Sequence, residues 1–218
     1  MSPEMSRRGR GRAYCTGRLK RGVDLVLGVL ALTLLSPLFL IMAIAIAASS
    51  GRPVLFRQVR IGLEGRPFRL LKFRTMRADA DGGLPITGSG DPRVTPLGRL
   101  LRTSKLDELP QLINVVRGEM SIVGPRPEVP RYVALYTSEQ RGVLQVRPGL
   151  TDPASVLFRD EEAILGAVEA ARREAYYVSE VLPRKLAINL RYVEQAGLMY
   201  DIGLIVGTIK TVLLPSRT

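Results

Sequence analysis

The sequence predicts a mainly α-helical protein of the α+β class. It comprises a re-entrant N-terminal membrane helix-break-helix and a cytoplasmic globular domain with a small β-hairpin and surface amphipathic helices. Residues 25–48 form one uncharged apolar run, Ser36-Pro37 interrupts it near its middle, and arginines flank both of its ends. A helix of that length reaches roughly 36 Å, enough to cross a hydrocarbon core of ~30 Å.

The proline and the flanking charges together predict that this helix turns back. Proline removes one backbone hydrogen bond, and its ring clashes with the preceding turn. Residues 1–21 and 52–69 are rich in arginine, and positively charged flanks tend to remain cytoplasmic. A helix that enters, bends at Ser36-Pro37 and returns keeps both flanks on one face.

Three other interpretations of the apolar run stay open. A straight transmembrane helix is one, because neighbouring groups can satisfy the backbone beside a proline. A cleaved signal peptide fits less well, because its apolar core is only ~7–15 residues long. A buried helix of a soluble protein fits least, because such helices seldom extend this far without a charge.

The membrane segment divides the chain into three regions. We expect a basic flexible tail at 1–18, the re-entrant hairpin at 19–49 and a cytoplasmic globular domain at 50–214. The net charge is +12, and residues 51–105 carry twelve Lys or Arg against four acids. That clustering suits anionic lipid headgroups or a phosphorylated substrate beside the membrane. The apolar anchor and the few aromatic residues speak against nucleic acid.

Beyond the apolar run, the sequence predicts a β-hairpin, a loop and a series of helices. Strand-like stretches at 54–61 and 67–73 enclose the turn residues 62–65, which indicates a hairpin. Residues 79–96 are rich in Asp, Gly, Pro and Thr and predict a surface loop. Helices are predicted at 96–102, 128–144 and 160–180, and amphipathic helices at 186–195 and 200–214, the last apolar enough to lie on a membrane surface.

An acidic pair stands where another helix should begin. The run from Ser104 to Asp107 matches a capping box, which would place Asp107 and Glu108 in the first turn of that helix. Pro110 suits the first residue of a helix that starts later. In both cases the two carboxylates lie at a helix N-terminus.

The residue types available for catalysis are few. Cys15 is the only cysteine, and the chain has no histidine. A disulfide within the chain, a Cys/His zinc site and a Ser-His-Asp triad are therefore excluded. Any acid, base, nucleophile or metal ligand must come mainly from Asp and Glu.

Asp107 and Glu108 are the leading candidates for that chemistry. Neighbouring side chains on a helix point about 100° apart, so the two carboxylates would take different roles, one attacking and one binding a metal. A carboxylate is a competent nucleophile toward phosphorus. The alternative is a solvated acidic pair that offsets the helix dipole.

A set of cations favours the catalytic interpretation. Each belongs to a Gly/Pro turn or a short motif, and guanidinium groups match phosphate oxygens bidentately. Any single one could equally form a surface salt bridge, but two acids among many cations indicate a divalent ion that bridges to a diphosphate. The cations are Lys72, Arg74, Arg99, Arg102, Arg126 and Arg147.

A third charged group lies at the entrance of the membrane hairpin. Lys20, Arg21 and Asp24 fall within about one helical turn. Arg21 and Asp24, three residues apart, could pair and so make a carboxylate near lipid less unfavourable. We expect this group to anchor the hairpin rather than to take part in catalysis.

Seven motifs, in this order, resemble those of the monotopic phosphoglycosyl transferases. These are bacterial sugar transferases that begin glycoconjugate assembly on polyprenol phosphate, and the resemblance covers about residues 18–214. The motifs are Lys20-Arg21-x-x-Asp24, Leu35-Ser36-Pro37, Lys72-Phe73-Arg74-Thr75-Met76, Leu106-Asp107-Glu108-Leu109-Pro110-Gln111, Gly118-Glu119-Met120-Ser121, Val123-Gly124-Pro125-Arg126-Pro127 and Arg147-Pro148-Gly149-Leu150-Thr151.

The resemblance implies an enzyme that moves a sugar 1-phosphate from a nucleotide diphosphate sugar, typically a UDP-sugar, to undecaprenyl phosphate. Asp107 would attack the sugar-bearing phosphorus, release UMP and carry the phosphosugar as a covalent intermediate until the lipid phosphate displaces it. Glu108 would bind Mg²⁺. Ser36-Pro37 would form the break of the hairpin. The residues that would hold phosphates are Lys72, Arg74, Arg102, Arg126 and Arg147.

The resemblance also implies a location and leaves several points open. The enzyme would be monotopic on the cytoplasmic membrane, in contact with membrane lipids, with its catalytic domain on the cytoplasmic face. A homodimer, a one-step transferase and a non-catalytic adaptor of polysaccharide assembly remain open. Many members read Thr-Gly-x-Ala-Gln where this chain has Thr151-Asp152-Pro153-Ala154-Ser155, so the sugar remains undetermined.

Overall fold

A computed structural model describes residues 3–77, 91–158 and 161–213. Of the predicted loop at 79–96, residues 79–90 lie outside these ranges. The helices are α1 Pro3–Thr16, α2 Arg18–Ser50, α3 Pro96–Thr103, α4 Gln111–Arg117, α5 Pro130–Val133, α6 Pro153–Leu157, α7 Glu161–Gly166, α8 Arg173–Tyr176, α9 Leu182–Gln195 and α10 Leu198–Leu213. The strands are β1 Leu55–Ile61, β2 Pro67–Phe73, β3 Ser121–Val123 and β4 Gly149–Thr151. The described chain is thus mostly helical with small sheets, as predicted.

The predicted β-hairpin is confirmed. Strands β1 and β2 pair in antiparallel register from Leu55 opposite Phe73 to Ile61 opposite Pro67. Glu64 and Gly65 reverse the chain between them with φ of 57° and 76°, a left-handed conformation that glycine adopts without strain. A second pair, β3 and β4, is parallel, and it places two motif-bearing turns side by side.

Helix α2 carries the apolar run and is continuous from Arg18 to Ser50, so the predicted break at Ser36-Pro37 is not seen. Proline removes the donor that would bond to the carbonyl four residues back. The Ser36 hydroxyl donates instead to that carbonyl, Thr33 O, at 2.8 Å. The serine therefore satisfies the group that its neighbour leaves open, and the helix continues.

Both ends of α2 contact the globular part of the chain. Near the first end, Gly28 lies against Val115 and Val116 of α4. Near the second, Ile46 packs with Phe73 in a buried cluster, and the ring of Phe39, closer to the middle of α2, has its centroid 5.4 Å from that of Phe73. Among the described residues, α2 is the one helix long and apolar enough to cross a membrane. Only 6% of its most apolar 18-residue stretch is buried. That exposure is unlike the core helix of a soluble protein.

The prediction of a flexible basic tail at 1–18 is wrong for residues 3–16, which form α1. Gly11 approaches the backbone of α9 so closely that a Cβ there would overlap the Glu194 carbonyl group. Cys15 is buried in a cluster with Tyr192 and Val193. Packing against α9 thus orders a segment whose composition alone indicates disorder.

Two long predicted helices are also wrong, because each is divided. Residues 128–144 contain α5 and then a 3-10 turn at Gln140–Gln145. At the start of this turn, the side-chain oxygens of Thr137 and Gln140 each accept a hydrogen bond from the other residue's backbone N–H. Residues 161–180 contain α7, α8 and part of a π-turn at Tyr177–Val181. The Arg173 guanidinium donates to Leu165 O, near the end of α7, and to Val168 O of the connecting turn, so it holds that turn in a non-helical path.

Candidate active site

The acidic pair lies in a 3-10 turn at Leu106–Glu108, directly before α4. Thr95 caps the preceding helix α3 by accepting from Gly98 N at 2.9 Å. The predicted capping box is wrong, because the Ser104 hydroxyl donates to Leu100 O at 2.7 Å. Lys105 then adopts a left-handed conformation, φ 56°, and redirects the chain. The carboxylates still precede a helix, but in a tighter and more buried turn.

Glu108 is held by two cations from two other motifs. Lys72 Nζ donates to Oε1 at 2.9 Å, and Arg126 binds both oxygens, with Nη1 at 3.1 Å from Oε2. Burial acts to raise the pKa of Glu108, but Arg126 and Lys72 outweigh it, so this pKa lies well below its ordinary value. Burial lowers the pKa of Lys72, and Glu108 raises that of Arg126. Glu108 is therefore ionised and fixed in place.

Asp107 has the opposite environment. The residue is only 6% exposed, and its Oδ1 has no hydrogen-bond partner. Burial raises its pKa from 3.8 to about 6, with Lys72 opposing the rise and Glu108 adding to it. A carboxylate oxygen that is buried and accepts no hydrogen bond is a stronger nucleophile than a solvated one. Adjacent carboxylates thus have separate chemical characters.

The fold brings Lys72 and Arg126 to this pair through close backbone approaches. Lys72 is the penultimate residue of β2, and the neighbouring Leu71 N donates to Asn114 Oδ1 of α4 at 3.1 Å. Arg126 follows β3, where a Cβ on Gly149 would overlap the backbone of Gly124. Because Gly124 and Gly149 have no side chains, β3 and β4 can pair closely, and this pairing positions the turn that carries Arg126.

Arg102 lies beside the site, and Lys105 is a residue that sequence analysis missed. Arg102 Nε donates to Thr75 Oγ1 at 3.0 Å, and both cations act to lower the pKa of Asp107. The signal for Lys105 was present, since it stands two residues before Asp107 and directly precedes the same turn. Within the described part of the chain, four cations thus surround the two acids.

Arg74 and Arg147 are engaged elsewhere in this structure. Arg74 Nη2 donates to Gly51 O at 2.6 Å and to Ser50 O, at the end of α2. Its buried Nε has no partner. Arg147 Nε donates to Gly118 O at 3.0 Å, in the turn that ends α4. Their phosphate-binding role stays a prediction, as does that of Arg99, which is exposed on α3.

The charged group at the start of α2 pairs differently from the prediction. Asp24 lies 3.5 Å from Lys20 Nζ rather than pairing with Arg21, and its Oδ1 accepts from Ile122 N at 3.0 Å. Arg21 instead donates to two carbonyls at the end of α4, Val115 O at 2.6 Å and Val116 O at 2.8 Å. These contacts fasten α2 to α4, in keeping with anchoring.

Asp201 of α10 completes this group and was not identified from the sequence. It accepts from Lys20 Nζ at 2.7 Å, from Tyr14 at 2.9 Å and from Tyr192 at 2.8 Å. The four side chains come from α1, α2, α9 and α10, and nothing in their spacing relates them.

The acidic turn can accommodate Mg²⁺ if a substrate supplies further ligands. Within 3–77, 91–158 and 161–213, no three Cys, Asp or Glu side chains converge. Glu108 Oε2 accepts one hydrogen bond here, which leaves one of its lone pairs. Mg²⁺ commonly binds through one or two carboxylates together with substrate phosphates. Glu108 is therefore a fitting ligand for an ion that also binds a diphosphate.

Comparison with known proteins identifies relatives over nearly the whole chain. The sequence pattern of the bacterial sugar transferases matches residues 15–215. A UDP-glucose:undecaprenyl-phosphate glucose-1-phosphate transferase of Caulobacter vibrioides is 38% identical over 198 residues, covering 89% of this chain and 69% of that protein. A protein of the same name from Escherichia coli is 36% identical over 88% of this chain, which spans only 39% of it. The exopolysaccharide production protein ExoY of Sinorhizobium fredii is 36% identical, with coverages of 91% and 87%.

Proposed function

The chain belongs to the bacterial sugar transferase family, and from that premise we propose that it transfers a sugar 1-phosphate from a UDP-sugar to undecaprenyl phosphate. UMP is released, and the lipid-linked sugar starts the assembly of a glycoconjugate or exopolysaccharide. The relatives' names support these substrates and make UDP-glucose the first donor to test.

The observation that carries the mechanism is the contrast between the two acids. Glu108 is neutralised by Lys72 and Arg126, whereas Asp107 Oδ1 is buried without a partner. With a pKa of about 6, Asp107 is mostly ionised at pH 7. A buried ionised oxygen that accepts no hydrogen bond is well suited to attack phosphorus.

In the first step, Asp107 Oδ1 attacks the sugar-bearing phosphorus of the donor. The bond from that phosphorus to the bridging oxygen breaks, the electron pair leaves with UMP, and the sugar phosphate is bound to the carboxylate. Arg126 and Lys72 lie beside the attacking group and offset charge on the diphosphate. Mg²⁺ on Glu108, when bound, would polarise the same diphosphate.

In the second step, a phosphate oxygen of undecaprenyl phosphate attacks the same phosphorus. The bond to Asp107 breaks, the carboxylate is regenerated, and the product is the polyprenol diphosphate sugar. Two successive displacements let a soluble and a lipid substrate use one small site in turn.

We also propose that α2, although its helical path continues through Pro37, enters and leaves the membrane on the same face, with the catalytic domain at 50–214 on the cytoplasmic face of the inner membrane. The contacts of Arg21 with α4 and of Ile46 with Phe73 of β2 support it. One globular unit that reaches both ends of α2 cannot lie on both sides of a bilayer. Labelling of single cysteines at 10 and 60 on a Cys15→Ser background tests this, and opposite accessibility would exclude a re-entrant helix.

The decisive experiment incubates the protein with UDP-glucose and Mg²⁺ in the absence of lipid acceptor. Intact-protein mass spectrometry should show one added hexose phosphate and release of UMP, and undecaprenyl phosphate should remove the adduct. Asp107→Asn should form no adduct while it stays in the membrane fraction. Turnover without any adduct, over a panel of active UDP-sugars, would favour direct attack by the lipid phosphate.

A further inference from the structure

The first turn of α4 contains a buried polar group that neither the fold nor the steps above use. Gln111 is 1% exposed, and its Nε2 has no hydrogen-bond partner. A buried amide without a partner destabilises a folded protein, so a group retained in this state requires an explanation.

The neighbouring amide on the same helix shows that the fold can satisfy such groups. Asn114 is fully buried. Its Nδ2 donates to Arg69 O at 2.8 Å and to Glu119 Oε2 at 2.6 Å, and its Oδ1 accepts from Leu71 N. Asn114 thus joins α4 to β2 with every polar atom used. Gln111, three residues earlier, has no comparable structural contact for its donor.

Gln111 lies one helical turn from Asp107. The 3-10 turn that holds Asp107 continues through Leu109 and Pro110, both with right-handed helical dihedral angles, into α4. Four residues of such backbone rise by about 6–8 Å, and side chains three or four apart on a helix are neighbours. Asp107 Oδ1 is itself buried without a partner. An unused acceptor and an unused donor therefore lie at one turn without bonding each other.

We infer that Gln111 is a further catalytic residue, whose Nε2 donates to a non-bridging oxygen of the phosphoryl group during its transfer to and from Asp107. A phosphorus atom at bonding distance from the Asp107 oxygen brings its other oxygens within reach of a donor one turn away. Each displacement breaks and forms the bonds described above, and the amide neither gains nor loses a proton. The inference deepens the proposed function and rests on it.

The test compares kcat with the melting temperature, because a catalytic role and a structural role of Gln111 predict opposite changes in stability. Gln111→Met keeps the size and removes the donor. The kcat for UMP release should fall about 100-fold with KM for UDP-glucose unchanged, since an interaction made only in the transition state is lost. The melting temperature should stay the same or rise, because an unsatisfied buried group is removed. Asn114→Leu, the matched control, should lower the melting temperature.

Gln111→Glu provides a second variant of the same shape. It replaces the donor by an acceptor and should reduce kcat at least as strongly. Adduct formation by the unsubstituted protein with UDP-glucose and Mg²⁺, in the absence of lipid acceptor, tests the proposed function separately. If that adduct forms and both Gln111 variants form it at the parental rate, the inference fails. It also fails if their activity falls only in proportion to a loss of folded protein.

Discussion

Replacing Asp107 by asparagine should abolish turnover and at the same time stabilise the protein. In the folded state, burial raises the pKa of Asp107 from 3.8 to about 6. At 1.36 kcal/mol per pKa unit, that rise means the ionised carboxylate destabilises the folded state by about 3 kcal/mol at pH 7. The asparagine side chain carries no charge, so the free energy of unfolding should increase by up to about 3 kcal/mol.

The pH dependence gives this prediction a defined sign. Below the unfolded pKa the carboxyl is protonated in both states and the parent has no disadvantage; the disadvantage develops as the pH rises and is complete above the folded pKa. The stability difference between Asp107→Asn and the parent should therefore be near zero below pH 3.8 and reach its maximum above about pH 6, in denaturant unfolding of detergent-solubilised protein. An inactive variant that is equally stable at pH 7, or less stable, would refute the buried, unpaired state of Asp107.

Two further predictions concern the same site, and a third concerns the packing of α3. Glu108→Gln should be inactive and destabilised by about 3 kcal/mol in denaturant unfolding, because it leaves Lys72 and Arg126 without their anion; unchanged stability would contradict the buried ion pairs. The kcat/KM for UMP release should fall toward acid with an apparent pKa of about 6, since only the ionised Asp107 attacks, and an acid limb near pH 4 would contradict this. Gly98→Ala should lower the melting temperature, because its Cβ would overlap the Thr75 carbonyl oxygen, whereas Gly9→Ala, which meets nothing within 4 Å, should not.

The parts of the fold that local patterns determine were predicted from the sequence. The β-hairpin follows from two strand-like stretches around a Gly-containing turn, and its second strand was predicted with the observed bounds. Helix α3 was predicted at 96–102 and is observed at Pro96–Thr103, with Pro96 at its first position. The association of Asp107 and Glu108 with Lys72 and Arg126 was also anticipated, because each belongs to a short motif with a Gly or Pro turn nearby.

What the sequence could not supply depends on long-range packing. Composition predicted disorder at 3–16, but the contact of Gly11 with α9 decides the outcome. Arg74 and Arg147 donate to backbone carbonyls. Every residue has such a carbonyl, so the sequence pattern does not indicate which ones these arginines bind. Asp201 lies 181 residues from Lys20, so their pairing has no local signature.

On the proposed mechanism, the attachment of α2 to α4 couples Asp107 to the membrane anchor. Arg21 and Gly28 contact the C-terminal end of α4, the helix that Asp107 and Glu108 precede, so one short helix connects α2 to these carboxylates. On the proposed topology, the depth of α2 in the membrane would set the depth of Asp107. Bilayer thickness would then affect the rate, because the phosphate of the lipid substrate would have to reach the depth of the Asp107 carboxylate.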